Sequence, residues 1–207
     1  MDALQTLDTT QLVALAAALG WASGLRLYAV LAITGLVGYA GWVELPPGLQ
    51  LLQHPAMLAA SGFMVFVEFF ADKIPGVDTL WDLVHTVVRI PAGAALAAAV
   101  FGADQATAAA LAALLGGTLA ATSHAAKATT RAAANTSPEP FSNIALSLLG
   151  DLAVPGMLWL AFEQPVLAIV LVAVAFVAML VLVWLLSKFL FALARRVKSW
   201  FGAPTVA

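Results

Sequence analysis

Asp78, Asp82, His85 and Arg89 follow one another at intervals of four, three and four residues, which puts all four on one stripe of a single helix. Just upstream, Glu68 and Asp72 share a helical face. A second set repeats the pattern with basic groups: His124, Lys127, Arg131 and Asn135 fall on one stripe, and Asn143, Ser147 and Asp151 on another. Groups of these types can pair with an ionic solute, hold a phosphate or carboxylate, or pass protons, since histidine titrates near neutral pH. Asp78, Asp82 and His85 also carry the oxygen and imidazole ligands that would suit a divalent cation. Lys127, Arg131 and Arg89 would oppose such an ion, no compact HExxH motif is present, and no cofactor is expected.

The chain that positions these groups has 207 residues, 63% of them apolar and only 10% charged. Its mean hydropathy is +0.99. A soluble domain carries about 25% charged residues, so this composition predicts an all-α transmembrane bundle folded as one domain. The net charge of −2 gives no argument for nucleic acid. The absence of cysteine excludes disulfides, thiolate metal sites and thiol catalysis. A start of Met-Asp-Ala-Leu-Gln, with Asp8 before the first apolar run, does not read as a cleaved secretory signal.

About 20 apolar residues cross the hydrocarbon of a bilayer. On that measure there are six crossings, at about 27–43, 55–72, 78–101, 105–123, 141–162 and 166–186. Residues 10–22 are short for a span and end in Gly20, Ser23, Gly24 and Arg26, a stretch that could break a helix. They are expected to form a re-entrant or interfacial helix before the first span, with a seventh crossing as the competing reading. Gly20 and Gly24 have the spacing that permits close helix approach.

Arg195, Arg196, Lys198 and Lys188 form a basic tail over 188–207, which the positive-inside rule places in the cytoplasm. Counting back over six spans puts both termini there, with Arg26, Lys73, Lys127 and Arg131 at cytoplasmic ends. The opposite loops carry Glu44, His54, Asp104 and Glu163 but no Lys or Arg. The charged stripes then belong to two cytoplasm-facing hairpins, about 55–101 and 105–162. Each has a polar turn with proline and an ascending helix with a further proline, so they read as weak parallel repeats.

Arg89 lies about 16 Å beyond Asp78 along its helix, and Asp151 is similarly deep. A charge at that depth costs about 2.5–3.5 kcal/mol on insertion scales and almost always finds a partner. Arg89 and Asp151 are therefore expected to face each other. The acidic set (Glu68, Asp72, Asp78, Asp82) and the basic set (His124, Lys127, Arg131) are expected to line one polar cavity. Asp72, Lys73 and Glu139, nearest the turns, are assigned to solvation or capping, and Trp81 and Trp159 to packing or the membrane interface.

The stretch Glu-Phe-Phe-Ala-Asp-Lys-Ile-Pro-Gly-Val-Asp over 68–78 is followed by Trp-Asp-x-x-His-Thr over 81–86 and by Arg89. Ser-His-x-x-Lys-Ala-x-x-Arg over 123–131, Asn-Thr-Ser-Pro-Glu-Pro over 135–140 and Ser142-Asn143 complete a pattern. It resembles the bacterial multi-pass membrane proteins grouped as domain of unknown function family 4126. Gly24 to Tyr28 is also similar, with Arg26 where the family pattern has Asn. The resemblance covers roughly residues 20–165. It implies a membrane protein of the bacterial inner membrane and supplies no activity.

The expectation from these residues is a small transporter or channel-like protein moving an ion or small polar solute. Its pathway would comprise Glu68, Asp78, Asp82, His85, Arg89, His124, Lys127, Arg131, Asn135, Asn143 and Asp151. Its partners would be the lipid bilayer and that solute, and the Ala/Gly-rich helix surfaces would tolerate a homo-oligomer. A membrane enzyme acting on a lipid headgroup or phosphate, and a structural protein without substrate, are the alternatives.

Overall fold

The structure, a computed structural model, describes residues 7–74, 76–136 and 141–201. Pro75 and residues 137–140, including Glu139, lie outside them. Among the described residues there are six α-helices and no strand: α1 (Thr9–Tyr39), α2 (Pro55–Ala71), α3 (Val77–Ala99), α4 (Ala106–Ala134), α5 (Phe141–Glu163) and α6 (Pro165–Phe201). A 3-10 turn (Pro47–Gln53) precedes α2. By length and apolar character α3, α4, α5 and α6 each suffice to cross a membrane, as would α1 if its 31 residues ran straight, and the 3-10 turn with α2 makes a further segment bent by 71°. The protein is a polytopic membrane bundle.

Local signals set the helix boundaries. Asp8 accepts the Gln11 backbone N–H at 2.8 Å while the Gln11 side chain accepts that of Asp8 at 2.9 Å, a reciprocal cap that starts α1. His54 caps α2, and Pro55 and Pro165 occupy first helical positions, where no N–H is needed. Helix α6 runs on to Phe201, so the first part of the basic tail, Lys188 to Lys198, continues the last helix.

Helix α1 is the element that organises the rest. Arg26, with φ −147° and ψ 77°, interrupts its helical backbone and divides it into arms 9–25 and 27–39. Both arms run from Arg26 toward the same end of the bundle. Along the first, Gly24 lies against Ser123 and Gly20 against Gly116; along the second, Gly35 lies against Leu52 and Leu58, and Gly38 against Leu45 and Gln53. At that end Gln11 donates to the Phe162 carbonyl, Gly48 abuts Ala99, and Leu7 and Leu12 share a cavity with Leu45 and Phe101. A straight helix would hold Leu12 and Tyr39 about 40 Å apart. The chain therefore turns back at Arg26.

The sequence expectation is met for the helix break after Gly24 and for a separate N-terminal element before the span at 27–43, whose helix ends at Tyr39. It is corrected for the chain ends. The described N-terminal end lies beside residues 44–50 and 100–105, whereas α6 ends with the charged turns, so the two ends are at opposite ends of the bundle. An even number of crossings had put them on one side.

The first arm of α1 forms the centre. Ala14, Leu15, Ala18, Leu19 and Ala22 are fully buried among α3, α4, α5 and α6. Small residues allow this: a Cβ on Gly20 would stand 2.5 Å from the Gly116 Cα, and one on Gly24 2.0 Å from Ser123 Oγ. Helices α3 and α4 form the closest seam. Within each hairpin the helices splay apart, α2 from α3 and α4 from α5, with α1 packed against all four. Large apolar side chains on the outer faces of α2, α5 and α6 are exposed, as a lipid-facing surface requires.

Candidate functional site

The break in α1 sits where the two charged hairpins converge. Arg26 reaches Asp72 at 2.8 Å and Asp151 at 2.9 Å. Asp72, at the C-terminal end of α2, also receives Arg131 at 2.7 Å and Lys127 at 3.0 Å. Lys127 and Arg131 contact Asp82 in turn, at 3.2 and 3.5 Å. Arg89 joins Asp82 at 2.7 Å and also binds Glu68. At the other end of the chain of contacts, Lys73 meets Asp151 at 3.3 Å. Five cations and four carboxylates thus form one connected network drawn from α1, α2, α3, α4, α5 and the turn after α2. In the low-dielectric interior each charge needs such partners, and a charge left with none is costly.

The network also closes the break. Where α1 is interrupted its terminal carbonyls lose their helical donors. Lys127 Nζ donates to the Leu25 carbonyl at 3.0 Å, so α4 supplies a replacement, and Ser123 Oγ ties α4 to the Trp21 carbonyl one turn earlier at 2.7 Å. A cation at this helix C-terminus is also favoured by the backbone dipole.

Two histidines have their tautomers fixed by neighbours. His85 Nδ1 lies 2.8 Å from the Trp81 carbonyl and must carry the proton, leaving Nε2 to accept from the Tyr28 hydroxyl at 3.1 Å. Its ring stacks on Trp81 with centroids 4.0 Å apart, so Trp81 has the packing role expected of it. The Thr86 hydroxyl donates to the Asp82 carbonyl and so accepts from His124 Nε2 at 2.7 Å. His124 Nδ1 then accepts from Arg89 at 3.2 Å.

The expected sites are brought together in part. Glu68, Asp82, Arg89, His124, Lys127 and Arg131 converge. Arg89 and Asp151 do not pair: each has its own partners, and the link between them runs through Asp82, Lys127, Asp72 and Arg26. Asp78 stands apart, accepting the backbone N–H groups of Gly76 at 2.8 Å and Thr79 at 2.6 Å and the Asn135 amide at 3.3 Å. Asn135 also binds Asn143, so these polar groups tie the two turns to each other. Asp78, Asp82 and His85 are each engaged with different partners, and no group of three metal-ligating side chains gathers among the described residues.

Asp72 is corrected from solvation or capping: it is fully buried as the hub of three cations. Lys73 does cap α2, its Nζ donating to the Phe69 carbonyl at 3.2 Å, and it also bonds Asp151 and Ser147. Arg26 is corrected from a cytoplasmic helix end to the apex of α1, 4% exposed. Tyr28 and Thr86, which orient the two histidines, are visible in the sequence only within the family pattern and were not among the expected site residues.

Open space adjoins the network in two places. One cavity of about 240 Å³ lies between α4, α5 and α6 against the first arm of α1, with Asp72, Lys127 and Arg131 in its wall. Another of about 350 Å³ lies between the second arm, α2 and α5, with Asp151 in its wall. Both are bordered by Arg26 and Gly150, so the Arg26–Asp151 contact is part of what separates them.

The family described as domain of unknown function (DUF4126) matches residues 13–185, which include most of the first arm of α1, all of the second, both hairpins and more than half of α6. The chain belongs to that family. The match thus spans every residue of the ion network, and membership brings no activity with it. No curated protein and no solved structure matches the chain.

Proposed function

We propose that this member of the family is a small transporter or channel-like protein that moves an ion or small polar solute past the Arg26–Asp151 contact. The observation that supports this is a helix broken inside the bundle at a buried arginine, with a cavity on each side of that arginine's ion pair. Irregular backbone at membrane depth is tolerated only where protein buries it or where it lines a cavity, and transporters build solute sites at such breaks. The basic end of α6 would lie in the cytoplasm of a bacterial cell, with the protein in its inner membrane. Lys127 and Arg131 would form the fixed wall of the pathway, held from behind by Glu68, Asp82, Arg89 and His124, while Asp78, Asn135 and Asn143 would hold the turns.

Asp151 is 25% exposed and shared between Arg26 and Lys73. A solute anion can replace it on Arg26 while Lys73 retains it, which would let the two cavities communicate without stranding a charge. His85 Nε2 faces the Tyr28 hydroxyl, whereas His124 Nδ1 accepts from the Arg89 guanidinium.

Proteoliposomes containing the full chain should pass at least one small ion or polar solute, measured by a screen of ion, proton and solute flux. Arg26→Gln and Asp151→Asn should change that flux at least about tenfold, in keeping with the loss of one charged contact. Folded wild-type protein that passes nothing, or variants that match wild type in every flux, would overturn the reading.

A further inference from the structure

The cations of the chain fall into two groups. Of its nine Lys and Arg residues, five belong to the buried network and each is paired there with a carboxylate. The other four, Lys188, Arg195, Arg196 and Lys198, lie near the end of α6, and none forms a salt bridge among the described residues. Lys188 rests on the Trp184 ring, 3.5 Å from its centroid. No Asp or Glu follows Glu163 in the chain. The helix is unbroken to Phe201, yet no side chain from Lys188 to Ser199 is buried, so nothing in the bundle supports this stretch.

Helical spacing sorts the stretch into two faces. Lys188 and Arg195 are seven residues apart on one stripe, with Arg196 and Lys198 to either side of it. Leu190, Leu193 and Val197 follow at intervals of three and four and make an apolar stripe opposite. Phe191 is the large apolar exception, on the basic side and 70% exposed. Depth agrees with this division. At 1.5 Å per residue, Lys188 and Lys198 lie about 35 and 50 Å along α6 from Pro165. A bilayer with its headgroups is about 40–45 Å thick, so a helix that starts at one surface brings these cations to the headgroups of the other.

From this placement we propose that the end of α6 binds the anionic phospholipid headgroups of the leaflet from which it emerges, leaning on that surface through its apolar stripe. A basic amphipathic helix is the form that binds such a surface, and each Lys or Arg beside it adds attraction. Four cations without a carboxylate call for an anionic partner, and the leaflet is the one that the helix itself brings within a Debye length. The network cations are already neutralised, so the lipid preference belongs to this end of the bundle. The inference concerns lipid contact and does not depend on any solute crossing the Arg26–Asp151 contact.

The chain has no cysteine, so a fluorophore can be attached to Ser199→Cys, an exposed position, in the full-length protein. The labelled protein is placed in phosphatidylcholine vesicles with a small, equal fraction of one of two quenchers. These are phosphatidylglycerol and phosphatidylcholine, each with a nitroxide near the top of its acyl chain. The ratio of quenching by the two reports enrichment of the anionic lipid at the label. It should be at least about threefold in about 10 mM salt and fall toward one in about 1 M salt. A label on Ala103→Cys, exposed beside Asp104 at the opposite end, should show no enrichment. Lys188→Gln, Arg195→Gln, Arg196→Gln and Lys198→Gln together should bring Ser199→Cys to a ratio of one. A ratio of one at Ser199→Cys with the basic residues intact would overturn the proposal and leave this face to a protein or nucleic-acid partner. Equal enrichment at Ala103→Cys would also overturn it, as would enrichment that persists in high salt. The comparisons of salt and of position keep every basic residue, so they decide the matter even where the fourfold variant fails to insert. Failure of solute flux would leave these outcomes unchanged, so the two readings fail separately.

Discussion

Arg89 and Arg26 each bridge two carboxylates inside the bundle, yet their surroundings differ. Arg89 is fully buried, its partners Glu68 and Asp82 are 1% and 4% exposed, and no cavity is bordered by it among those described above. Arg26 sits on interrupted backbone, borders two cavities and holds one sealed partner, Asp72, and one that is 25% exposed, Asp151. Redundancy differs as well. Asp72 keeps Lys127 and Arg131 without Arg26, and Asp151 keeps Lys73, whereas Glu68 has no other cation among its ion pairs. One arginine locks α2 to α3. The other is placed where a change of partner costs least.

The largest effect should come from breaking the locked side. Arg89→Gln strands Glu68 and should cost about 3–5 kcal/mol, seen as loss of folded protein or a large fall in denaturation midpoint. Adding Glu68→Gln should recover part of that loss, because the uncompensated charge is gone. Arg26→Gln should cost less, about 1.5–3 kcal/mol in the same unfolding assay, since both of its carboxylates keep a cation. Gly116→Val tests the packing that brings α3 and α4 together and should cost about 1–3 kcal/mol by crowding Gly93 and Ala97. Lys73→Gln should be smallest, below about 1 kcal/mol, because the Lys73 and Asp151 side chains are 19% and 25% exposed. If Arg26→Gln proved more damaging than Arg89→Gln, the contrast between the two would be reversed.

The stripes were legible because helical spacing alone decides which residues share a face. Asp82 and Arg89 on α3, and His124, Lys127 and Arg131 on α4, did turn toward one another, while His85 faces Tyr28 on α1. Which residue pairs with which was not legible. Depth along separate helices suggested Arg89 with Asp151, but pairing depends on azimuth and on the helices that intervene, and α1 lies between them. The break at Arg26 had a visible cue in Gly20, Ser23 and Gly24. Its consequence did not, because a fold-back at one residue follows from what packs against each arm. Asp72 and Lys73 read as turn residues next to a proline, and only the depth to which that turn is inserted makes Asp72 a hub.

The claim on which the rest depends is that α1 turns back at Arg26. The chain has no cysteine, so single cysteines can be introduced without background. Thr10→Cys, Glu44→Cys and Ser199→Cys, all at exposed positions, can be treated with a membrane-impermeant thiol reagent from each side of an oriented membrane. The fold predicts that Thr10→Cys and Glu44→Cys are modified from one side and Ser199→Cys only from the other. Modification of Thr10→Cys from the same side as Ser199→Cys would contradict it.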